Sequence, residues 1–142
     1  KKKWEHGPLT YLGLTTVGFP NFYMITGPGS PSVLSNMMVS IEQHVEWLAD
    51  CLAHMRRKGH TRVEATGAAQ QAWVQEVRQV ASGTLFADAK SWYTGANIPG
   101  KHRQFAVHVA GPLYFEKLNE VAAQGYTGFV MESENTTTTA AA

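Results

Sequence analysis

The sequence predicts a small α/β fold in which short strands accompany one long packing helix. Apolar residues recur every three or four positions over residues 34–58, a spacing typical of an amphipathic helix. Short aromatic and β-branched runs at residues 10–14 and 22–26 have the composition of strands. Glycine and proline occupy four of the five positions at residues 27–31, so neither a strand nor a helix can continue through that segment. Together these features indicate a strand, a tight loop and a long helix in succession.

The first thirty residues are predicted to be extended segments joined by turns. Residues 10–14 (TYLGL) have strand character, and residues 18–21 (GFPN) form a predicted turn. Residues 22–26 (FYMIT) have the composition of a buried strand. This run stops abruptly at the glycine- and proline-rich residues 27–31.

A long helix is predicted from about Leu34 to Lys58. Its apolar positions are separated by four, four, three, four and three residues and therefore share one face. These positions are Met37, Ile41, Val45, Leu48, Leu52 and Met55. Ser32 or Ser35 is the predicted N-cap. Gly59 follows three basic residues and occupies the position favoured for a C-cap.

Four other side chains of this helix are predicted to have structural rather than chemical roles. His44 and Glu46 fall off the predicted apolar face, so we expect both to lie at the surface. Cys51 lies beside that face and is interpreted as a small buried residue rather than a nucleophile. Trp47, like Trp73 further along the chain, is interpreted as a packing residue.

The second half of the chain predicts two more helices and two more strands. A helix is expected from Ala68 to Ala81, capped by Thr66 and ended by Gly83; its apolar face consists of Trp73, Val77 and Val80. A loop at residues 91–101 (SWYTGANIPGK) follows, and residues 105–109 alternate like a strand. A third helix is predicted to begin near Pro112 and to end at Gly125, before a last strand at residues 126–131.

Composition narrows the class of protein and its partners. A formal net charge of +1, with 16% charged residues, gives no electrostatic reason to expect nucleic acid or an anionic membrane as a partner. Cys51 is the single cysteine, which excludes an internal disulfide and fits a reducing, cytoplasmic location. No apolar run approaches the ~20 residues that a membrane span needs. The six histidines are scattered, and no pair of them has a zinc-ligand spacing backed by cysteines, so no metal site is expected.

Two features could bind a ligand, and each has a plainer explanation. The glycines of residues 27–31 allow a close approach to a ligand, and the helix that follows offers free N–H groups to an anion or to a reduced flavin; alternatively, the segment is only a tight connection. Trp92 lies in a loop, where its indole could stack on a ring, or could anchor the loop to the core together with Tyr93. Lys101 could contact a cofactor phosphate, although a lysine after Pro-Gly is more often solvated. No catalytic residue can be assigned.

Five segments resemble the C-terminal part of Baeyer–Villiger flavin monooxygenases, the family of the phenylacetone and cyclohexanone monooxygenases. They are residues 7–13 (GPLTYLG), 19–21 (FPN), 27–32 (GPGSPS), 40–47 (SIEQHVEW) and 91–101 (SWYTGANIPGK). The likeness runs in order from about residue 4 to residue 130. The resemblance therefore implies the C-terminal part of the FAD-binding domain in a flavoprotein with two dinucleotide-binding domains.

The family resemblance also implies an activity. Such an enzyme uses FAD and NADPH to insert one atom of O2 beside a ketone carbonyl, giving an ester or a lactone. NADPH reduces the flavin, O2 adds to form a peroxyflavin, and that species attacks the ketone. The protein holds FAD, NADP and the ketone together and excludes water.

The same resemblance assigns roles to individual residues. Gly27 and Pro28 would lie beside the flavin ring, and Met37 would lie near its reactive edge. Trp92 would hydrogen-bond NADP from a mobile loop. The substrate pocket would be lined by Ser32, Val33 and Leu34. One departure from the family is His108, which stands where an aromatic residue is common.

The sequence also lacks features that the family carries. It has no Gly-x-Gly-x-x-Gly motif and no Phe-x-Gly-x-x-x-His-x-x-x-Trp-Pro fingerprint. We therefore expect residues 1–131 to be the C-terminal half of the FAD-binding domain and residues 132–142 to be a disordered tail. The missing N-terminal part of the enzyme is the expected partner, and the chain alone is expected to be inactive. The alternative is a truncated, non-catalytic α/β binding or interaction module without flavin.

Overall fold

The computed structural model describes residues 4–5, 7–31, 35–85, 91–100 and 105–133. Within these residues the chain forms three α-helices and two strands, so the predicted α/β class is confirmed. In chain order they are α1 (Met37–Lys58), β1 (Arg62–Ala65), α2 (Gly67–Ser82), α3 (Gly111–Ala123) and β2 (Phe129–Glu132), with a 3-10 turn at Trp92–Thr94 between α2 and α3. The two strands pair antiparallel, with Arg62 opposite Glu132. No helix in the described part of the chain is both long and apolar enough to cross a membrane.

Helix α1 forms where the sequence predicts a long helix, but its N-cap differs from the prediction. The cap is Asn36, whose side-chain oxygen accepts a hydrogen bond from the Met38 N–H at 3.0 Å. The helix therefore begins at Met37 rather than near Leu34. Gly59 ends it in the left-handed conformation with φ 70°, as predicted, and its N–H donates to the Arg56 carbonyl.

The predicted buried face of α1 is wrong by one residue. The helix buries Ser40, His44, Trp47, Cys51 and Met55. Val45 and Leu52, which the apolar spacing assigned to the core, are 52% and 49% exposed. Four of the buried positions immediately precede positions of the predicted face, so the helix is rotated by one residue, or about 100°. His44 is completely buried rather than exposed, because both of its ring nitrogens have hydrogen-bond partners within the chain.

Three of the predicted strands do not form. Residues 10–14 make a tight turn instead, in which Leu12 and Gly13 have positive φ and Tyr11 bridges to Thr15. Residues 22–26 are irregular, and Phe22 is 47% exposed rather than buried. Residues 105–109 have no strand assignment, since their backbone groups bond to loops rather than to a ladder.

Helices α2 and α3 and strand β2 agree with the prediction apart from their ends. Thr66 caps α2 through its side chain, and Gly83 follows its last residue. Helix α3 begins with proline in its first turn. Strand β1 is not predicted by the sequence analysis. Its partner β2 extends to Glu132, which the predicted tail boundary assigns to the tail.

The core packs the inner faces of the helices against the turn at residues 11–15. Trp73 of α2 and Tyr114 of α3 are among its largest completely enclosed side chains. Leu12 and Leu14 of the turn have no exposed surface. Trp47 and Cys51 of α1 are buried as predicted, and burial raises the pKa of the Cys51 thiol to about 12. The thiol is therefore protonated at neutral pH, which fits a packing role.

Candidate functional site

A cleft of about 270 Å³ lies between the glycine- and proline-rich loop at residues 27–31 and the 3-10 turn at Trp92–Thr94. Its lining is mostly apolar and consists of Thr26, Gly27, Pro28, Ser30, Pro31, Met37, Trp92, Tyr93, Ala106 and Val107. Four of the five predicted cofactor residues therefore line one cleft, although they are far apart in sequence. The fifth, Lys101, and the three predicted substrate-pocket residues, Ser32, Val33 and Leu34, lie outside the described residues.

The floor of the cleft is fixed by close backbone packing between the 27–31 loop and the turn at residues 11–15. A Cβ atom on Gly27 would collide with the Gly13 carbonyl oxygen and would lie 2.9 Å from Met24 Cβ. Ser30 closes the loop on itself, because its N–H and its hydroxyl both donate to the Gly27 carbonyl, at 3.1 and 2.7 Å. Side chains larger than hydrogen cannot fit at this contact, so the loop shape depends on glycine.

The extended segment at residues 105–110 joins the two sides of the cleft. Its Ala106 carbonyl accepts a hydrogen bond from the Gly29 N–H at 2.7 Å, and the Ala106 N–H donates to the Tyr93 carbonyl at 3.2 Å. The His108 N–H donates to the Ser30 carbonyl at 3.0 Å. The extended segment thus fixes the distance between the 27–31 loop and the 3-10 turn.

Trp92 and Tyr93 have different environments although they are adjacent. Tyr93 is 8% exposed and packs into the core, whereas Trp92 is 62% exposed at the rim of the cleft. Their ring centroids are 4.1 Å apart. Tyr93 therefore anchors the 3-10 turn to the core. Trp92 presents a large apolar surface beside an apolar cleft, and this arrangement favours contact with a ligand.

The N-terminus of α1 lies at the cleft through Met37, the first residue of the helix. The first turn of α1 contains no acidic residue that would offset the partial positive charge of the helix dipole. This end of the cleft therefore favours a ligand group that carries negative charge.

A buried histidine, His44, lies beneath the cleft, although the sequence predicts a surface position for it. The Thr26 N–H donates to His44 Nδ1 at 3.1 Å, and His44 Nε2 lies 2.7 Å from Tyr114 Oη. Burial lowers the pKa of His44 to about 4, so the ring is neutral at physiological pH. Only the one-residue rotation of α1 brings this side chain inside, and the apolar spacing of the sequence gives no signal of that rotation.

His108 does not line the cleft; its ring lies in the core beneath it. The imidazole stacks on Trp73 with ring centroids 5.3 Å apart and planes 9° from parallel. Burial lowers the pKa of His108, and a carboxylate oxygen of Glu76 lies 4.0 Å from Nε2. The ring is therefore neutral and packs as a flat aromatic group would.

The chain is similar in sequence to several flavin monooxygenases. It is 44% identical over 130 residues to a Baeyer–Villiger monooxygenase from Pseudooceanicola batsensis, a match that covers 91% of this chain and 24% of that protein. It is 37% identical over 132 residues to a phenazine N-monooxygenase from Lysobacter antibioticus, covering 92% of this chain and 24% of that protein. The chain thus spans about a quarter of the length of these relatives. No protein-family model matches it.

Solved structures agree with the sequence matches. An oxidized steroid monooxygenase bound to NADP superimposes with a TM-score of 0.85 at 45% identity, over 94% of this chain and 25% of that chain. Cyclohexanone monooxygenase from Rhodococcus sp. Phi1 bound to NADP+ gives 0.87 at 38% identity, over 93% and 25%. The OTEMO complex with FAD and NADP gives 0.83 at 36% identity, over 92% and 24%. The described fold therefore recurs inside longer enzymes that bind these cofactors.

Proposed function

We propose that this chain forms part of a Baeyer–Villiger monooxygenase that uses FAD and NADPH to convert ketones to esters or lactones with O2. Its similarity to such enzymes over about nine-tenths of its length supports the assignment. The observation that supports a cofactor site is the single cleft lined by four predicted cofactor residues, which are Gly27, Pro28, Met37 and Trp92. In this proposal the chain is the C-terminal half of the FAD-binding domain, and the cleft faces the cofactors.

The cleft residues fit the ring end of a flavin. Its walls are apolar and aromatic, and the α1 N-terminus supplies partial positive charge where a reduced ring carries negative charge. Bound FAD, reduced by NADPH, supplies the oxygen activation. The chain's own residues hold the ring: Gly27 and Pro28 form the floor, Met37 lies at one edge, and Trp92 covers the rim and limits the access of water.

The described residues do not supply a site for the FAD diphosphate. No basic side chain is among the residues that line the cleft in the described part of the chain. In dinucleotide-binding folds the diphosphate lies on a loop with the motif Gly-x-Gly-x-x-Gly at a helix N-terminus, and that motif is absent from this sequence. The rest of the enzyme must therefore contribute diphosphate binding, and the chain by itself is expected to be inactive.

The group that is oxygenated differs among the relatives, one of which is a phenazine N-monooxygenase. The relative with 44% identity is a Baeyer–Villiger monooxygenase, and an acetone monooxygenase is 35% identical over 130 residues. These observations favour a ketone, and oxygenation of a nitrogen heterocycle is the second candidate.

A chimera tests the proposal. This chain replaces the matching quarter of the Pseudooceanicola batsensis relative, and the product is incubated with NADPH, O2 and a panel of ketones. We expect ester or lactone formation together with NADPH consumption. A folded chimera that contains flavin but oxygenates only phenazine would favour the second candidate. A folded chimera without flavin would support the alternative of a non-catalytic module.

A further inference from the structure

His44 connects three segments of the chain that meet behind the cleft. It lies on α1, and its Nδ1 accepts the Thr26 N–H at 3.1 Å. Its Nε2 is 2.7 Å from Tyr114 Oη on α3, and the Tyr114 hydroxyl donates to the Leu12 carbonyl at 2.8 Å. His44, Tyr114 and Leu12 have no exposed surface. The part of the network formed by His44, Tyr114 and Leu12 is therefore enclosed in the core.

These contacts determine one protonation state of the imidazole. A carbonyl oxygen only accepts, so the single Tyr114 hydroxyl proton points to Leu12. His44 Nε2 must then carry the proton that is shared with Tyr114 Oη. Nδ1 faces an amide N–H and must accept, so it carries none. The ring is the neutral Nε2–H tautomer, and every polar atom in the chain of bonds has a partner.

The Thr26 amide is the point at which this network reaches the cleft. Thr26 has φ 52°, in the left-handed region that residues other than glycine rarely adopt. It lines the cleft itself and directly precedes Gly27, whose carbonyl closes the loop through Ser30. A strained residue keeps such a conformation only when its surroundings hold it. The hydrogen bond that the Thr26 N–H donates to His44 Nδ1 is a contact that does so.

We propose that His44 is a positioning residue, whose Nδ1 fixes Thr26 and thereby sets Gly27 and Pro28 against the bound flavin ring. Tyr114 acts with it by selecting the tautomer that leaves Nδ1 free to accept. The inference rests on the proposed function for the identity of the bound group. His44 does not exchange a proton with the substrate, since it is enclosed behind the loop.

Two substitutions at His44 test the two hydrogen bonds of its imidazole separately. His44→Asn keeps a side-chain oxygen near the position of Nδ1 and loses the group at Nε2. His44→Gln keeps an N–H near the position of Nε2 and removes the acceptor at Nδ1. The control is the same pair of substitutions at His54, which lies on the same helix but packs against Tyr126.

The first measurement uses the 142-residue chain and amide hydrogen exchange followed by NMR. Loss of a hydrogen bond worth about 1 kcal/mol should speed exchange of the Thr26 amide about fivefold to tenfold in His44→Gln, and much less in His44→Asn. The Leu118 amide in α3 serves as an internal reference that separates local opening from global unfolding. The His54 variants should leave the Thr26-to-Leu118 ratio unchanged. Equal ratios in both His44 variants would overturn the inference.

The second measurement uses the flavin-containing chimera and the visible absorption spectrum of the bound flavin. We expect His44→Gln to shift the flavin band and to raise KM for the ketone. His44→Asn should leave both close to their values in the unsubstituted chimera. If exchange at Thr26 changes while spectrum and KM stay the same, His44 is only structural and the positioning role is wrong. If the unsubstituted chimera binds no flavin, the proposed function itself fails, and the flavin-facing role fails with it.

Discussion

Gly13 and Ser30 are in direct backbone contact beneath the cleft. A Cβ atom on Gly13 would lie 2.6 Å from both Ser30 N and Ser30 Cβ, and Gly13 has φ 68°. The contact joins the turn at residues 11–15 to the 27–31 loop that we propose holds the flavin ring. The shape of the cleft floor therefore depends on a residue that does not itself line the cleft.

Replacing Gly13 by alanine should destabilise the chain and disturb the loop. The left-handed backbone and the collision with Ser30 together should lower the free energy of unfolding by about 2–4 kcal/mol. Gly67→Ala is the matched control, because a Cβ there meets nothing within 4 Å at the start of α2, and should be neutral or stabilising by up to about 1 kcal/mol. Urea denaturation measures both. Equal stabilities for the two variants would contradict the close contact.

Replacing Met37 by glycine should change which ketones the chimera oxidises. Met37 is apolar and lines the cleft at the helix N-terminus, so it can shape a pocket but cannot transfer a proton. Flavin reduction by NADPH should stay near its original rate. Met38→Gly is the control, since Met38 is 70% exposed and is not among the residues that line the cleft. Leu34 is expected to act in the same way as Met37. An unchanged substrate profile in Met37→Gly would remove Met37 from the pocket.

Replacing Trp92 by alanine should affect the cofactors and leave stability almost unchanged. Trp92 is 62% exposed, so the melting temperature should move little, whereas Tyr93→Ala should cost about 3–5 kcal/mol because Tyr93 is buried. In the chimera, Trp92→Ala should release NADP faster and divert NADPH oxidation toward hydrogen peroxide. Stopped-flow fluorescence and a peroxide assay measure the two effects. A variant that melts much earlier yet stays fully coupled would contradict the rim position.

Stability should fall as pH drops below neutral, because His44 is buried in its neutral form. Its folded pKa of about 4 lies below the ordinary value of 6.5, so the unfolded chain binds the proton more tightly. The contribution is complete above about pH 6.5 and is lost as pH falls toward 4. By about pH 5 the free energy of unfolding should have fallen by about 2 kcal/mol through His44 alone. Burial lowers the pKa of His108 as well, which adds a loss of the same sign.

Urea denaturation at pH 7 and pH 5 measures the effect, with His44→Asn as the control. The variant lacks the titrating ring and should show a smaller loss of stability between the two pH values. Equal losses in the original chain and in His44→Asn would contradict the neutral, buried ring.

The sequence predicts helices well where a cap and an apolar face agree. Thr66 and Gly83 bound α2 as expected, and Trp73 and Val77 face the core. Residues 10–14 and 22–26 fail as strands because no partner strand exists for them among the described residues. Composition alone does not show whether a strand-like segment has a partner strand. For the same reason it does not predict β1, which pairs with the distant strand β2.

The rotation of α1 has a different cause. Positions 40, 44, 47 and 51 have the same spacing as positions 41, 45, 48 and 52, and the sequence favours burial of the second set because all four of its residues are aliphatic. The structure buries the face that contains Ser40 and His44, because Tyr114 and the Thr26 amide satisfy the imidazole there. Such partners lie far away in sequence. The candidate cleft residues were predicted from resemblance, whereas the histidine behind them required the structure.

The flavin content of two proteins after gel filtration tests the central claim most directly. Each is mixed with excess FAD, and the absorbance of bound flavin is compared with the protein concentration. We expect close to one FAD per molecule in the chimera, and little or none in the 142-residue chain, which lacks a diphosphate-binding loop. Stoichiometric FAD on the isolated chain, or a folded chimera that stays colourless, would contradict the account.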